Sequence, residues 1–394
     1  MKRVAILGGG PAGAFAAERL ATAGLHVSLF DEKLAWEKPC GGGLTYKAYS
    51  QYPFLLHNTT AKRFVTETVL SAPAAGEASL KLDDPLLIYS RFDLNRMLLE
   101  RAEHAGARIE KAHVAEITRS GPGWRVRTNA GVADADFCII ATGARNGLQD
   151  VGTKLTAEDA MSALGYYVPG DQARIDIRFL PSLEGYIWIF PRCGHLSVGI
   201  CGKGEPAGAL RKRLEAFMEE RGIPFRGARF YSHLLPSLHS ASWRTNRVGG
   251  EGWLAVGDAA GLVDPITGEG LYYALRSADL AARAVLSDVS TLAERVNQYR
   301  RALQKDFAAD LEFGSRLAKR VFHGRFLLRS VPTRMVQFTR RSPRFCAIMQ
   351  DLFAGRQSYR ELKRRLFKSL NGSLYEIAMS FGFQRMMPRK ASAR

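Results

Sequence analysis

Residues 1–33 read MKRVAILGGGPAGAFAAERLATAGLHVSLFDEK, and their order decides the fold. Arg3 to Leu7 (RVAIL) is a short apolar run of the length and composition of a buried strand. Gly8, Gly10 and Gly13 then fall in a G-x-G-x-x-G spacing that opens AFAAERLATAG, a helix pattern ending at Gly24. A second strand pattern, His26 to Phe30, ends on Asp31, 18 residues beyond Gly13. Each glycine has a physical task. Gly8 allows the tight turn, Gly10 lets the backbone approach a pyrophosphate, and Gly13 lets helix and strand pack closely. The helix N-terminus presents free N–H groups and the positive end of its dipole to phosphate oxygens. Asp31 is spaced to accept hydrogen bonds from ribose hydroxyls. Two basic residues before an apolar run also resemble a secretory leader, but the glycines and Pro11 interrupt that run early.

Further along, residues 252–274 read GWLAVGDAAGLVDPITGEGLYYA. A strand runs into Gly257-Asp258, then a turn rich in Gly and Pro, then a helix from about Gly270. With Ala141-Thr142-Gly143 after the strand FCII, this resembles the FAD fingerprints of glutathione-reductase-like flavoproteins. The resemblance implies FAD as cofactor. It puts Asp258 on the ribitol or pyrophosphate portion, and Pro265, Gly268, Glu269 and Gly270 beside the flavin ring. Arg91 stands where many such proteins place an arginine near the flavin. The same pattern extends the expected cofactor contacts to Ala12, Glu32, Cys40, Gly41, Gly42, Val114 and Leu271. The implied fold class is α/β: a Rossmann-type FAD-binding domain, an inserted antiparallel-sheet substrate domain and a helical C-terminal region.

Two further motifs narrow the family. Pro39-Cys40-Gly41-Gly42-Gly43 follows the second strand, and Tyr186-Ile187-Trp188-Ile189-Phe190-Pro191 lies in mid-chain. Alternation places Tyr186, Trp188 and Phe190 on one strand face and the two isoleucines on the other. On pattern alone these are ordinary sheet-face aromatics, and Cys40 is a small residue in a glycine turn. Together, C-G-G-G and Y-x-W-x-F-P resemble the geranylgeranyl reductase family, over roughly the first 300 residues. That resemblance implies saturation of isolated C=C bonds in a polyprenyl chain, with catalytic roles for Cys40, Tyr186 and Trp188. Hydride addition to an unactivated alkene needs a proton donor, which a thiol supplies. It also needs stabilisation of partial positive charge, which aromatic faces supply. A flavin monooxygenase or halogenase of the same fold is the alternative. Against it, the chain runs from Asp136 into CIIATGARN without the Asp-Gly element of hydroxylases. Tyr186 and Phe190 also depart from the W-x-W-x-I-P of halogenases.

The rest of the sequence bounds the context. Five scattered cysteines fit neither a disulfide framework nor a structural metal site, so a reducing cytoplasm and no metal are expected. No apolar run reaches membrane-spanning length. Domain limits are expected at 1–150 (first part of the FAD domain), 151–245 (substrate domain), 246–300 (second part) and 301–394 (basic helical region). Gly202 to Gly208 (GKGEPAG) imitates a second nucleotide motif, but no acid-ended strand follows and Pro206 suits a helix start. It reads as a loop between strand and helix, so NAD(P)H or a ferredoxin-type protein would dock only transiently as electron donor. Of the net charge of +18, +16 lies from Arg316 onward. That segment reads as a packed helical subdomain with a solvated basic face. It also suits an anionic membrane surface, which would make the protein peripheral on the inner membrane face. No nucleic-acid-binding motif accompanies the charge.

Overall fold

The computed structural model describes residues 2–369 and 372. Arg3–Leu7 is the centre of a six-stranded sheet, buried from Val4 onward. His26–Asp31 and Phe137–Ile140 flank it in parallel register, Ile6 facing Leu29 on one side and Ile139 on the other. The sheet continues to Arg108–Lys111 at one edge and to Trp253–Ala255 and Gly249–Gly250 at the other. Helix Pro11–Thr22 carries buried Ala12, Ala14, Ala16, Ala17 and Ala21. Small side chains let it lie close to the sheet and to helices Arg91–His104 and Leu271–Leu286. The Gly202–Gly208 stretch is the expected connector: strand Leu196–Lys203 passes through it into helix Ala207–Glu220, with Pro206 at the N-cap.

The second sheet has eight strands. In spatial order they are Arg229–Pro236, Ala160–Val168, Leu196–Lys203, Glu184–Pro191, Ile175–Phe179, Lys62–Ala72, Gly76–Tyr89 and Gly43–Leu44. All neighbours are antiparallel except Ile175–Phe179 beside Lys62–Ala72. The long hairpin 62–89 and the short strand at Gly43 therefore belong to this sheet, although the sequence reading put residues 1–150 in the FAD domain. A period-two pattern says that a segment is a strand but not which sheet it joins. Here the join is a parallel pairing across about a hundred residues of chain, with Thr68 opposite Ile175.

The two faces of this sheet divide by alternation. Ile187, Ile189, Val198 and Ile200 pack against Leu210, Leu214 and Phe217 of helix Ala207–Glu220. Tyr186, Trp188 and Phe190 face the other way, toward the C-terminal helices. Those helices are Ala309–His323, Val331–Arg341 and Pro343–Phe353, followed by a helical run over 359–369, whereas Leu292–Leu303 packs on Leu271–Leu286 beside the first sheet. Val331–Arg341 lies across the 62–89 hairpin, where Thr333 Oγ1 donates to Pro73 O at 3.1 Å. No helix among the described residues is long and apolar enough to cross a membrane.

One buried contact ties this helical cover to the turn after Asp258. Asp264 accepts the amides of Ile266 and Thr267, each at 2.9 Å, and organises the turn 264–270. Tyr359 Oη donates to the same carboxyl, 2.7 Å from Oδ1 and 2.9 Å from Oδ2. Tyr359→Phe keeps the ring and removes this bond. It should lower unfolding free energy by about 1–3 kcal/mol, the usual worth of a buried hydrogen bond to a carboxyl, measured by urea unfolding.

Candidate functional site

The glycine turn is shaped by contacts that exclude side chains. Gly8 holds φ at +112°, and a Cβ there would stand 2.2 Å from Ala141 O. A Cβ on Gly13 would stand 1.9 Å from Gly8 O. Gly10, the N-cap of the helix, meets nothing within 4 Å, so open space lies where a pyrophosphate would approach the helix amides. Asp31 Oδ2 accepts Gly9 N at 2.7 Å, while Oδ1 accepts the amides of Lys33 and Leu34. Its carboxylate thus braces the turn at the end of the second strand. Thr142 Oγ1 donates to Asn146 Oδ1 beneath the loop, and Gly257 N donates to Ser277 Oγ. Glu32 lies outside the cavity and pairs with His113 Nδ1 at 3.0 Å, beside Val114.

Gly10, Ala12, Cys40, Gly41, Gly42, Arg91, Ala141, Gly143, Asp258, Gly268, Glu269, Gly270 and Leu271 line one cavity of about 680 Å³, together with Tyr186 and Trp188. Pro265, expected beside the ring, does not line it. Its Cγ lies 3.4 Å from where a Cβ on Gly314 would stand, because the turn around Asp264 directs that ring toward the C-terminal helices. Two residues that the motifs did not single out, Lys38 and His233, complete the polar end. Lys38 Nζ lies 3.1 Å from Asp258 Oδ2, and His233 faces both from strand Arg229–Pro236. Burial is the largest influence and opposes ionisation of Asp258, but the Lys38 charge, its hydrogen bond and the other neighbouring cations together hold the carboxyl below its usual range. Burial and the same lysine keep the His233 imidazole neutral.

Two residues lining this cavity, Arg91 and His233, each carry a buried nitrogen, Nε and Nε2, with no hydrogen-bond partner among the described residues. Buried polar atoms are ordinarily satisfied. Orphaned donors and acceptors beside open space at a helix N-terminus fit a polar, anionic dinucleotide cofactor of the flavin type. Arg91, only 4% exposed, opens its helix from inside the cavity and not from the surface.

The cysteine loop is held from behind. Arg192, with 0% exposure, immediately follows the Tyr-x-Trp-x-Phe-Pro strand. Its guanidinium donates to Tyr89 O and, at 2.6 Å, to Cys40 O, and sits 3.3 Å from Glu37 Oε1. Glu37 also accepts from Ser90 Oγ and the amides of Arg91 and Phe92. Burial alone would raise its pKa, yet Arg192 and these donors hold it below the ordinary range. Gly42 has φ +79°, and a Cβ there would lie 2.2 Å from Tyr89 O and 2.7 Å from Arg192 Nη1. Cβ atoms on Gly41 and Gly43 would press on the Phe190 ring at 3.3 and 3.1 Å. Within the loop, Gly42 N donates to Cys40 Sγ at 3.2 Å.

Facing the loop, Tyr186 Oη donates to Thr267 O, and its ring meets Trp188 edge-on at 6.2 Å between centroids. Trp188 fills the space that a Cβ on Gly199 would need. Glu269 accepts from Thr45 Oγ1 at 3.1 Å. Burial pushes its carboxyl up to about 7, with Lys47 pulling the other way. Beyond Glu269 the cavity turns apolar, running past Phe179, Met335, Phe345 and Met349 to an outer end at Phe326 and Phe367. Such a cavity can hold a long hydrocarbon with one segment beside a titratable carboxyl and a thiol. Among the described residues, no group of His, Cys, Asp and Glu is arranged to hold a metal ion.

The comparisons agree with this geometry. Residues 2–163 match the model of the pyridine nucleotide-disulphide oxidoreductase family. The chain is 29% identical over 321 residues to geranylgeranyl diphosphate reductase of Synechocystis, covering 72% of this chain and 75% of that one. It is 28% identical over 348 residues to digeranylgeranylglycerophospholipid reductase 2 of Methanothermobacter thermautotrophicus, covering 79% and 86%. Among solved structures, a geranylgeranyl bacteriochlorophyll reductase-like protein of Thermoplasma acidophilum superposes with a TM-score of 0.75 at 22% identity, covering 93% and 99%. The flavin-dependent brominase Bmp2 shares the fold at a TM-score of 0.68 and 17% identity, covering 89% and 93%. The chain is a flavin-dependent oxidoreductase similar to geranylgeranyl reductases.

Two outcomes are expected. Gly10→Val places a side chain in the open space at the helix N-terminus and should yield a folded, colourless protein. Retention of full flavin absorbance would contradict this placement of the phosphates. Arg192→Leu strands Glu37 without its counter-ion and should cost about 3–5 kcal/mol in denaturant unfolding.

Proposed function

We propose that this flavin-dependent oxidoreductase, similar to geranylgeranyl reductases, binds FAD and saturates isolated C=C bonds of a polyprenyl chain. The observation that carries the reading is the single cavity. It joins a polar dinucleotide seat to an apolar channel, and Cys40, Tyr186, Trp188 and Glu269 meet at the junction. Arg91, Lys38, Asp258 and the helix amides at Gly10 would hold FAD, which when bound supplies the hydride.

The protein's own part is to hold the alkene, exclude water and deliver a proton. Protonation at the less substituted carbon builds positive charge on the more substituted one. The faces of Tyr186 and Trp188 stabilise that charge in a dry site, where such electrostatic effects are strongest. Cys40 Sγ and Glu269 Oε are the proton carriers that face the junction. Glu269 suits the task because burial leaves much of its carboxyl protonated at neutral pH, whereas an ordinary glutamate is ionised there. The loop at 202–208 carries no nucleotide seat. NAD(P)H or a ferredoxin-type protein therefore reduces the flavin by docking transiently, and the basic C-terminal region serves an anionic membrane surface.

The test is anaerobic. Flavin reduced chemically in the purified protein should be reoxidised on adding a geranylgeranyl lipid or diphosphate, with two hydrogens gained per turnover in the product mass. Flavin that stays reduced until air is admitted, and then yields a hydroxylated or halogenated product, would move the monooxygenase or halogenase reading ahead. Reoxidation should be fastest below pH 7 and fall as pH rises through about 7, where Glu269 loses its proton. Glu269→Gln should abolish that fall and slow the step by roughly 10²–10⁴-fold, the span of general acid catalysis. Cys40→Ala should cut turnover while flavin stays bound; unchanged turnover removes the thiol from the mechanism.

A further inference from the structure

The outer end of the cavity has a feature that neither folding nor the flavin explains. Arg325–Phe326 and Arg329–Ser330 form a minimal hairpin whose two-residue tip is Leu327-Leu328. Both leucines have positive φ, 48° and 64°. Tips of this kind ordinarily carry Asn-Gly or Asp-Gly, because a branched side chain is strained there. The leucines do not offset the strain by burial. Leu328 is 88% exposed and Leu327 49%. The tip is also held in place, since Arg334 Nε donates to Phe326 O at 3.2 Å and its Nη2 donates to Leu327 O.

This apolar tip adjoins the cavity mouth. Phe326 and Arg334 line the outer cavity, and so do Lys363 and Phe367 from the helical run 359–369. Phe367 is 70% exposed. Along the chain, charge on either side of the tip has one sign. Between Glu312 and Asp351 the chain carries nine Lys or Arg and no acid, Arg325 and Arg329 among them. Exposed aliphatic and aromatic side chains ringed by arginine are the makeup of a segment that dips into the headgroup and acyl boundary of an anionic bilayer.

We propose that the Arg325–Ser330 hairpin and Phe367 form a docking lip that seats the cavity mouth on an anionic lipid surface. Leu327, Leu328 and Phe367 enter the acyl layer and the flanking cations meet lipid headgroups. A prenyl lipid then passes from bilayer to cavity without crossing water, a role that rests on the polyprenyl reading above.

The experiment uses the full-length, flavin-loaded protein and flotation with phosphatidylcholine vesicles, with and without phosphatidylglycerol. Leu327→Asn with Leu328→Gly installs the residues this turn prefers, so the fold should be kept and the thermal midpoint held or raised. Wild type should float with the anionic vesicles and not with phosphatidylcholine alone. The double variant should bind roughly tenfold more weakly or worse, and Arg325→Gln with Arg329→Gln should remove most of the salt-sensitive binding. Vesicle binding is read without turnover, so it stands or falls apart from the reductase reading. A wild type that does not float, or a leucine variant that floats equally well, overturns the lip. Saturable binding of the tip to an acidic ferredoxin in place of vesicles would overturn it in favour of a protein partner.

Discussion

The buried guanidinium of Arg192 is the constraint on which the cavity depends. It leaves the end of the Tyr186–Phe190 strand and binds the Tyr89 carbonyl, the Cys40 carbonyl and the Glu37 carboxylate, fixing the 37–40 loop and the end of the 62–89 hairpin to its own strand. Isolated, either charge would be prohibitively expensive to bury. Together, with Glu37 also accepting from Ser90 and two amides, they are satisfied. The chain segment carrying Cys40 has almost no side chains of its own with which to pack, so its position comes from this ion pair and from the Phe190 ring beneath Gly41 and Gly43. The same strand that presents Tyr186 and Trp188 therefore also places the thiol opposite them.

A second constraint acts from the other side. Asp264 gathers the turn that bears Glu269 and is itself clamped by Tyr359 from the C-terminal helices. The cover over the apolar channel and the titratable carboxyl at its inner end are thus parts of one hydrogen-bonded unit. Burial in that unit raises the proton affinity of Glu269 to about 7.

Legibility in the sequence followed locality. The turn at Gly8, Gly10 and Gly13 was readable because strand, turn and helix are adjacent and each glycine answers a local steric demand. Sidedness at Tyr186, Trp188 and Phe190 was readable because a strand alternates by geometry alone. Lys38, His233 and Arg192 were missed, since nothing in their neighbours says that they converge. His233 reaches Asp258 only because its strand is the edge of the second sheet. Arg192 could have been suspected from its place directly after the strand motif, but not its burial. Pro265 was misplaced for the converse reason: the motif gives the turn, while Asp264 decides which residues of that turn face inward.

By itself, then, the sequence determined the dinucleotide turn, the order of strand and helix around it, the glycine loop at Cys40 and the aromatic strand face. All of these rest on contacts within a few residues or on strict periodicity. Tertiary structure alone decided that hairpin 62–89 joins the second sheet, that Arg91 is buried, that Glu269 lies on the cavity wall, and that the basic C-terminal helices roof a channel with a leucine tip at its mouth. These depend on which distant surfaces meet. Burial, orphaned polar atoms and shifted proton affinities exist only once they have met.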